Sequence, residues 1–336
     1  MFRIAVIPGD GIGVDVTREA VKVLRHVAAQ ADVRLDMTEW DLGAERYLRT
    51  GVTIAPDEIK QLGEYDAILL GAMGDARVPG NQHARDILLG LRFQLDLYIN
   101  LRPIRLYDAR LSPLRNVTAD DILIDVFREN TEGVYVGAGG NFKEGTPDEI
   151  AIEEDINTRK GAERIIRAAF EYARTHGRRV TLTDKANAMP HAGGLWRRTF
   201  AAVGAEFPEV ERNAMYADAL AMELIRAPQR WQVIVAPNLF GDLLSDLAAG
   251  LVGGLGLAPS ASLHPGRIGL FEPVHGSAPD LVGTGKANPL AAILTTGMLL
   301  DHLGRAEDAR RIDDAVRRAV ADAATTPDLG GSLGTT

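Results

Sequence analysis

Asn238-Leu239-Phe240-Gly241-Asp242-Leu243-Leu244-Ser245-Asp246 follows a short apolar run at residues 231–236 and opens an apolar helix. A buried strand, a tight turn and a helix in that order form the repeating unit of an α/β fold. Asp242 and Asp246 stand four residues apart in the stretch. Helical spacing puts both carboxylates on one face, roughly 5–6 Å apart at Cβ. Two anions that close repel each other unless something positive lies between them. A hard divalent cation that prefers oxygen ligands, Mg²⁺ or Mn²⁺, would fill that role. Spacing alone also admits a plainer arrangement, with Asp242 capping the helix near its positive end and Asp246 facing water.

Outward from this unit the same alternation continues. Apolar runs at residues 2–7, 33–38, 65–71, 122–127 and 180–183 read as strands. Helical periodicity occupies residues 16–29, 84–91, 158–176, 194–206, 217–226, 291–303 and 306–324. The pattern predicts an α/β fold with a mostly parallel sheet. Residues 133–152 differ in character. Gly137, Gly139, Gly140 and Gly145 separate short β-prone pieces there, as in an extended arm at a subunit contact or an ordinary surface hairpin.

Composition bounds the function. With 336 residues, 46% of them apolar, the chain has room for two domains or one large α/β unit with a sizeable core. A net charge of −9 argues against nucleic acid as a principal partner. A local arginine cluster could still reverse the sign of a pocket for an anionic small molecule. The absence of cysteine excludes disulfides, thiolate metal sites and cysteine nucleophiles. No uninterrupted apolar run reaches the roughly 20 residues of a membrane helix, and residues 2–7 read as a first strand rather than a signal peptide. The expectation is a soluble, cytoplasmic protein with no membrane partner.

Pro8-Gly9-Asp10-Gly11-Ile12-Gly13 follows the first strand and invites a dinucleotide-binding reading. The fingerprint needs glycines spaced G-x-G-x-x-G. Counted from Gly9, the third glycine falls on Val14, so the match fails. A tight turn with positive φ accounts for the segment.

Other residues carry chemistry. Arg92, Arg102 in Asn100-Leu101-Arg102-Pro103, and Arg128 in Arg128-Glu129-Asn130-Thr131-Glu132-Gly133 offer guanidinium forks that bind carboxylates bidentately. Three of them would suit a substrate with two carboxylates. Asp184-Lys185-Ala186-Asn187 ends a strand, the usual edge for catalytic groups in open α/β sheets. A lysine there can serve as a base, and Tyr135 as an acid. The polar stretch Phe271-Glu272-Pro273-Val274-His275-Gly276-Ser277-Ala278-Pro279-Asp280, followed by Asn288, could wrap a nucleotide. An acidic side chain in it would accept from free ribose hydroxyls and repel a 2′-phosphate.

Six motifs in this order, PGDGIG at 8–13, NLRP at 100–103, RENTEG at 128–133, DKAN at 184–187, NLFGDLLSDLAAG at 238–250 and FEPVHGSAPD at 271–280, resemble the isocitrate/isopropylmalate dehydrogenase family. The resemblance runs from Ile4 to about Gly331. It implies the family's own fold, distinct from the Rossmann fold, with two interwoven domains sharing a large mixed sheet. Residues 1–98 plus 250–336 would form the NAD-binding domain, and 99–249 the substrate and dimerisation domain with an arm at about 133–152. It further implies a homodimer with shared active sites. Asp242 and Asp246 would bind Mg²⁺ or Mn²⁺ together with Asp218 of a second subunit. Arg92, Arg102 and Arg128 would hold the carboxylates of a 2-hydroxy dicarboxylate. Lys185, reaching in from the other subunit, would be the base and Tyr135 the acid. His275, Gly276, Ser277, Ala278, Asp280 and Asn288 would hold NAD, with Asp280 selecting it over NADP. Family members continue past a stretch like residues 326–331 into a final helix, whereas this sequence stops at Thr336.

Substrate choice falls to the helix before Arg92. Leu88 and Leu89 match the paired leucines that contact the isopropyl group in the isopropylmalate branch, which implies oxidative decarboxylation of 3-isopropylmalate in leucine biosynthesis. A third carboxylate, as in homoisocitrate, would be costly to bury against two leucines. RENTEG and paired leucines also occur in D-malate and tartrate dehydrogenases, which keeps that alternative open, with Arg85 as an additional cation. A non-catalytic regulatory homologue would be expected to lack the base, the acid or a metal ligand, and all are present.

Overall fold

In the computed structural model, which describes residues 1–336, strands and helices alternate along most of the chain. The first part runs β1 (Phe2–Gly9), α1 (Gly13–Gln30), β2 (Leu35–Glu39), α2 (Ala44–Thr50), α3 (Pro56–Leu62), β3 (Ala67–Ala72), α4 (Gln82–Gln94) and β4 (Ile99–Arg105). The middle runs β5 (Leu123–Glu129), β6 (Gly139–Phe142), β7 (Ile150–Glu153), α5 (Arg159–His176), β8 (Val180–Asp184), α6 (Pro190–Gly204), β9 (Arg212–Tyr216), α7 (Ala217–Arg226), β10 (Val233–Ala236) and α8 (Asn238–Gly250). The last part runs β11 (Pro259–Leu263), β12 (Gly269–Pro273), α9 (Leu290–His302) and α10 (Ala306–Ala321). No helix is long and apolar enough to cross a membrane.

The chain forms two compact units. One comprises Met1–Leu97, Arg102–Ile122 and Ala249–Thr336; the other comprises Tyr98–Leu101 and Leu123–Ala248. The first unit therefore draws on both chain ends. Residues 102–122, which the sequence reading assigns to the second domain, belong to the first. Tyr107 is buried and, with Leu111 packed beside it, joins Leu257, Leu290, Leu294, Val316 and Leu329 in one apolar cluster. The Tyr107 hydroxyl donates to Asp313 Oδ1 at 2.7 Å.

In the first unit the strand order is β2-β1-β3-β12-β11. All pairs are parallel except β11–β12, which is antiparallel. The sheet is thus mixed, not uniformly parallel. β1 shows why it is covered on both faces. Ile4 and Val6 join Leu24, Leu69, Phe271 and Leu299 on one side, while Ala5 and Ile7 join Ile59, Ile87 and Leu91 on the other. Successive side chains of a strand point to opposite faces, so an unbroken apolar run demands two helical layers.

In the second unit β5, β10, β8 and β9 are parallel neighbours in that order. Helix α5 covers the sheet with Ala162, Ile165, Ile166, Ala169, Phe170 and Ala173. Thr158 caps its start by accepting the Gly161 amide at 2.9 Å. Phe170 lies 5.3 Å, ring to ring, from both Phe200 and Phe207. Truncating it to alanine would cost about 3–5 kcal/mol. β6 and β7 form a separate antiparallel hairpin paired Gly139 to Glu153. Its apolar side chains stay outside: Phe142, Ile150 and Ile152 are 56%, 52% and 41% exposed.

Candidate active site

The second unit builds one cluster from the RENTEG and NLFGD stretches. Arg128 is the penultimate residue of β5, and its side chain is 2% exposed. Its Nε donates to Asn238 Oδ1 at 2.9 Å and to the Asn238 carbonyl at 3.1 Å. Its Nη1 donates to Asp242 Oδ1. Helix α8 can come this close because residue 241 is glycine: a Cβ there would stand 2.7 Å from Arg128 Cβ. Glu129 turns back on its own chain and accepts the Thr131 amide, the Thr131 hydroxyl and the Glu132 amide. Burial raises its pKa, against those hydrogen bonds. Glu132 then accepts the Thr158 amide and hydroxyl at the head of α5. The motif is therefore a pinned loop with one arginine directed at the start of α8.

Tyr135 lies in the one-turn helix Val134–Val136 just past that loop. Its hydroxyl donates to Asp242 Oδ2 at 2.7 Å, and the Arg128 guanidinium carbon lies 5.0 Å from its ring centre. Asp242 thus receives a cation on one oxygen and a phenol on the other. Asp246, one turn on, is exposed.

Lys185 sits directly after β8, and its Nζ donates to Asp218 Oδ2 at 2.5 Å. Asp218 opens α7. The lysine holds the Asp218 carboxyl below the usual carboxylate range. Lys185 also lines a small cavity with Asp184, Trp196, Asn238 and Phe240. No group of three or more acidic or imidazole side chains gathers in one chain to hold a metal. The chain brings Tyr135, Arg128 and Asp242 together, and pairs Asp218 with Lys185.

The first unit carries the remaining candidates. Arg92, in the last turn of α4, donates from Nη2 to Glu272 Oε1 at 2.8 Å, both largely buried. Its Nε is buried without a partner. Arg102 is buried on β4. Leu88 packs against the core cluster that holds Ile87 and Leu91, whereas Leu89 lies outside that cluster and is half-buried. Arg85 is a surface residue, 67% exposed beside Asp86.

His275 begins the loop after β12. Its Nδ1 lies 3.0 Å from the Gly276 carbonyl, and a carbonyl only accepts, so Nδ1 carries the proton. Nε2 is then an acceptor, buried and without a partner. Burial lowers the ring's pKa, which keeps it neutral near pH 7. Asp280 is exposed. Asn288 is engaged at both ends: Nδ2 donates to Asp328 Oδ2 at 2.9 Å, and Oδ1 accepts the Leu290 amide at 3.0 Å at the head of α9. Sequence reasoning misses Glu272 and Asp328 as partners, because neither contact is local.

Comparison with known proteins agrees across the whole chain. The family model described as isocitrate/isopropylmalate dehydrogenase matches residues 3–336. A 3-isopropylmalate dehydrogenase of Thermobifida fusca is 48% identical over 94% of this chain and 90% of its own length. One from Corynebacterium efficiens is 49% identical over 95% and 93%. Among solved structures, an isocitrate dehydrogenase from Methylococcus capsulatus superposes with a TM-score of 0.89 at 37% identity, covering 100% of this chain and 96% of that one. A β-decarboxylating dehydrogenase from Thermococcus kodakarensis gives 0.80 at 39% identity, covering 100% and 93%. The chain belongs to the isocitrate/isopropylmalate dehydrogenase family.

Proposed function

We propose that this protein oxidatively decarboxylates 3-isopropylmalate to 2-oxoisocaproate with NAD and a divalent metal, a step of leucine biosynthesis. The observation that carries the reading is the contact of Asp242 with both Arg128 and Tyr135. It groups an anion-binding fork, a proton donor and a metal-type carboxylate, on a chain 47–49% identical to 3-isopropylmalate dehydrogenases.

The donor set fits a hard cation. Asp242, Asp246 and Asp218 offer only carboxylate oxygens, which suit Mg²⁺ or Mn²⁺. In our reading Asp242 and Asp246 of one chain and Asp218 of a second copy hold it. Held there, such an ion would supply Lewis acidity to the oxidation at C2. The cofactor loop fits a dinucleotide. The unpaired Nε2 of His275 can accept from an exocyclic amine, and Asp280 suits free ribose hydroxyls and opposes a 2′-phosphate. NAD held by these residues would supply the hydride acceptor.

The chain's own groups do the rest. Arg92, Arg102 and Arg128 bind the two carboxylates. Lys185, reaching in from the second copy with its neighbour Asp218, takes the proton of the C2 hydroxyl as hydride leaves C2. The resulting β-keto acid loses its C4 carboxyl as CO₂, and Tyr135 gives a proton to C3 of the enolate. The proton accepted by Lys185 balances the one given by Tyr135.

A homodimer follows from the same reading, since Asp218 is paired with Lys185 within its own chain. The exposed Phe142, Ile150 and Ile152 of the hairpin, and Leu243 of α8 at 61% exposure, are the surfaces we assign to it. Leu88 is partly engaged by the core cluster, and D-malate or tartrate, which asks less of an apolar pocket, is the second reading; homoisocitrate ranks third. Product analysis tests the proposal: one NADH, one CO₂ and one 2-oxoisocaproate should form per 3-isopropylmalate consumed. NADH without CO₂ would refute decarboxylation.

A further inference from the structure

The glycine turn at residues 8–13 lacks the phosphate-binding spacing, yet hydrogen bonds and close packing from distant parts of the sequence hold it. Asp10, 5% exposed, accepts the Ala44 amide at 2.6 Å and the Gly74 amide at 2.7 Å, and its Oδ2 lies 2.7 Å from Nε2 of the fully buried His83. The Asp10 amide donates to the Ala72 carbonyl at 2.7 Å. Gly9 packs so tightly on the end of β3 that a Cβ would meet the Ala72 oxygen at 2.0 Å. Three chain segments, at Ala44, at Ala72–Gly74 and at His83, therefore fix one short turn.

What the turn presents is the cofactor loop. The Ile12 amide donates to the Ser277 carbonyl at 2.9 Å. Gly11, at φ +56°, faces the same carbonyl, and a Cβ there would stand 2.2 Å from the oxygen and 2.9 Å from Ser277 Cβ. The neighbouring Ala278 packs against Ile12, Val16, Ala20, Ala287 and Ala292. Ala278 itself sits at φ +38°, a left-handed conformation that an alanine keeps only when its surroundings impose it.

We propose that the 8–13 turn is the seat of the 275–280 loop, with Gly11 a positioning residue for dinucleotide binding. The inference rests on the reading of that loop as the cofactor site. A methyl group at Gly11 cannot be relieved by moving the turn, because Asp10 and Gly9 pin it. The Ser277 carbonyl must move instead, and His275 and Asp280 move with it.

The test is NADH fluorescence titration of the full-length wild type, Gly11→Ala and Gly51→Ala. Gly51 has φ +72°, and a Cβ there would meet nothing within 4 Å, so its substitution supplies the backbone strain without the clash. The Gly11→Ala dissociation constant should rise at least about tenfold, while Gly51→Ala stays within about twofold of wild type. A Gly11→Ala value within about twofold of wild type overturns the proposal. A wild type that fails to bind NADH removes the cofactor reading itself, and the proposal with it. Should Gly11→Ala not fold, amide exchange on the wild type decides. NADH should slow exchange across residues 8–13 as well as 275–280, and slowing confined to 275–280 overturns the proposal.

Discussion

The Tyr135 hydroxyl donates to Asp242 Oδ2 at 2.7 Å, and the opposite oxygen of the same carboxylate receives Arg128. One carboxylate thus holds a phenol on one oxygen and a guanidinium on the other. Tyr135→Phe removes the donor and leaves the ring over Arg128. Overall turnover should fall about 10²–10⁴-fold, the usual worth of a positioned acid or base. Mn²⁺ binding, read by electron paramagnetic resonance, should change far less. Unchanged turnover would exclude Tyr135 as the acid.

Lys185→Ala separates chemistry from stability. The Lys185–Asp218 pair is solvent-screened, 25% and 65% exposed at the two side chains, so its loss should cost the fold little. Turnover should fall by about 10²–10⁴-fold while the urea midpoint stays close to wild type. Substantial residual activity would take Lys185 out of the mechanism.

Acidification should weaken the fold through His302. Burial lowers the pKa of this imidazole, which packs 5.4 Å from Phe271, below its ordinary 6.5. Between the folded value and 6.5 the unfolded chain binds more protons than the folded one. Stability from this group is therefore complete above 6.5 and is lost as pH falls through and below it. Urea unfolding at pH 7.5 and 5.5 should show a larger loss for wild type than for His302→Gln. Equal losses would contradict the assignment.

Phe142 is 56% exposed on β6, and burying such a side chain is worth about 1.5–3 kcal/mol. Phe142→Asp should weaken the proposed dimer by about ten- to a hundredfold in sedimentation equilibrium, taking about 1.4 kcal/mol per tenfold. An unchanged monomer–dimer equilibrium would remove the hairpin from the interface.

Long, strongly periodic elements are legible in the sequence. α5 and α7 lie within a residue of their expected bounds, because their apolar faces repeat over several turns. β11 and β12 are not, since Pro259-Ser260-Ala261-Ser262-Leu263 and Gly269-Leu270-Phe271-Glu272-Pro273 begin or end on proline or glycine and are only five residues long. β9, Arg212-Asn213-Ala214-Met215-Tyr216, is an edge strand in its unit with an exposed start and no apolar alternation. The grouping of Arg128 with Asp242 is carried by motif order, not by spacing; the residues lie 114 apart. The partners of Arg92 and Asn288 are invisible for the same reason, as Glu272 is 180 positions away and Asp328 is 40. PGDGIG reads as a turn and folds as one, but what the turn supports is a long-range contact with Ser277.

Steady-state kinetics with NAD and Mn²⁺ decide the substrate. Purified protein should be offered 3-isopropylmalate, D-malate, tartrate and homoisocitrate in parallel. The highest kcat/KM should belong to 3-isopropylmalate, with the isopropyl group worth about 1–3 kcal/mol, or about 10–200-fold, over D-malate. A kcat/KM for D-malate equal to or above that for 3-isopropylmalate would contradict that assignment.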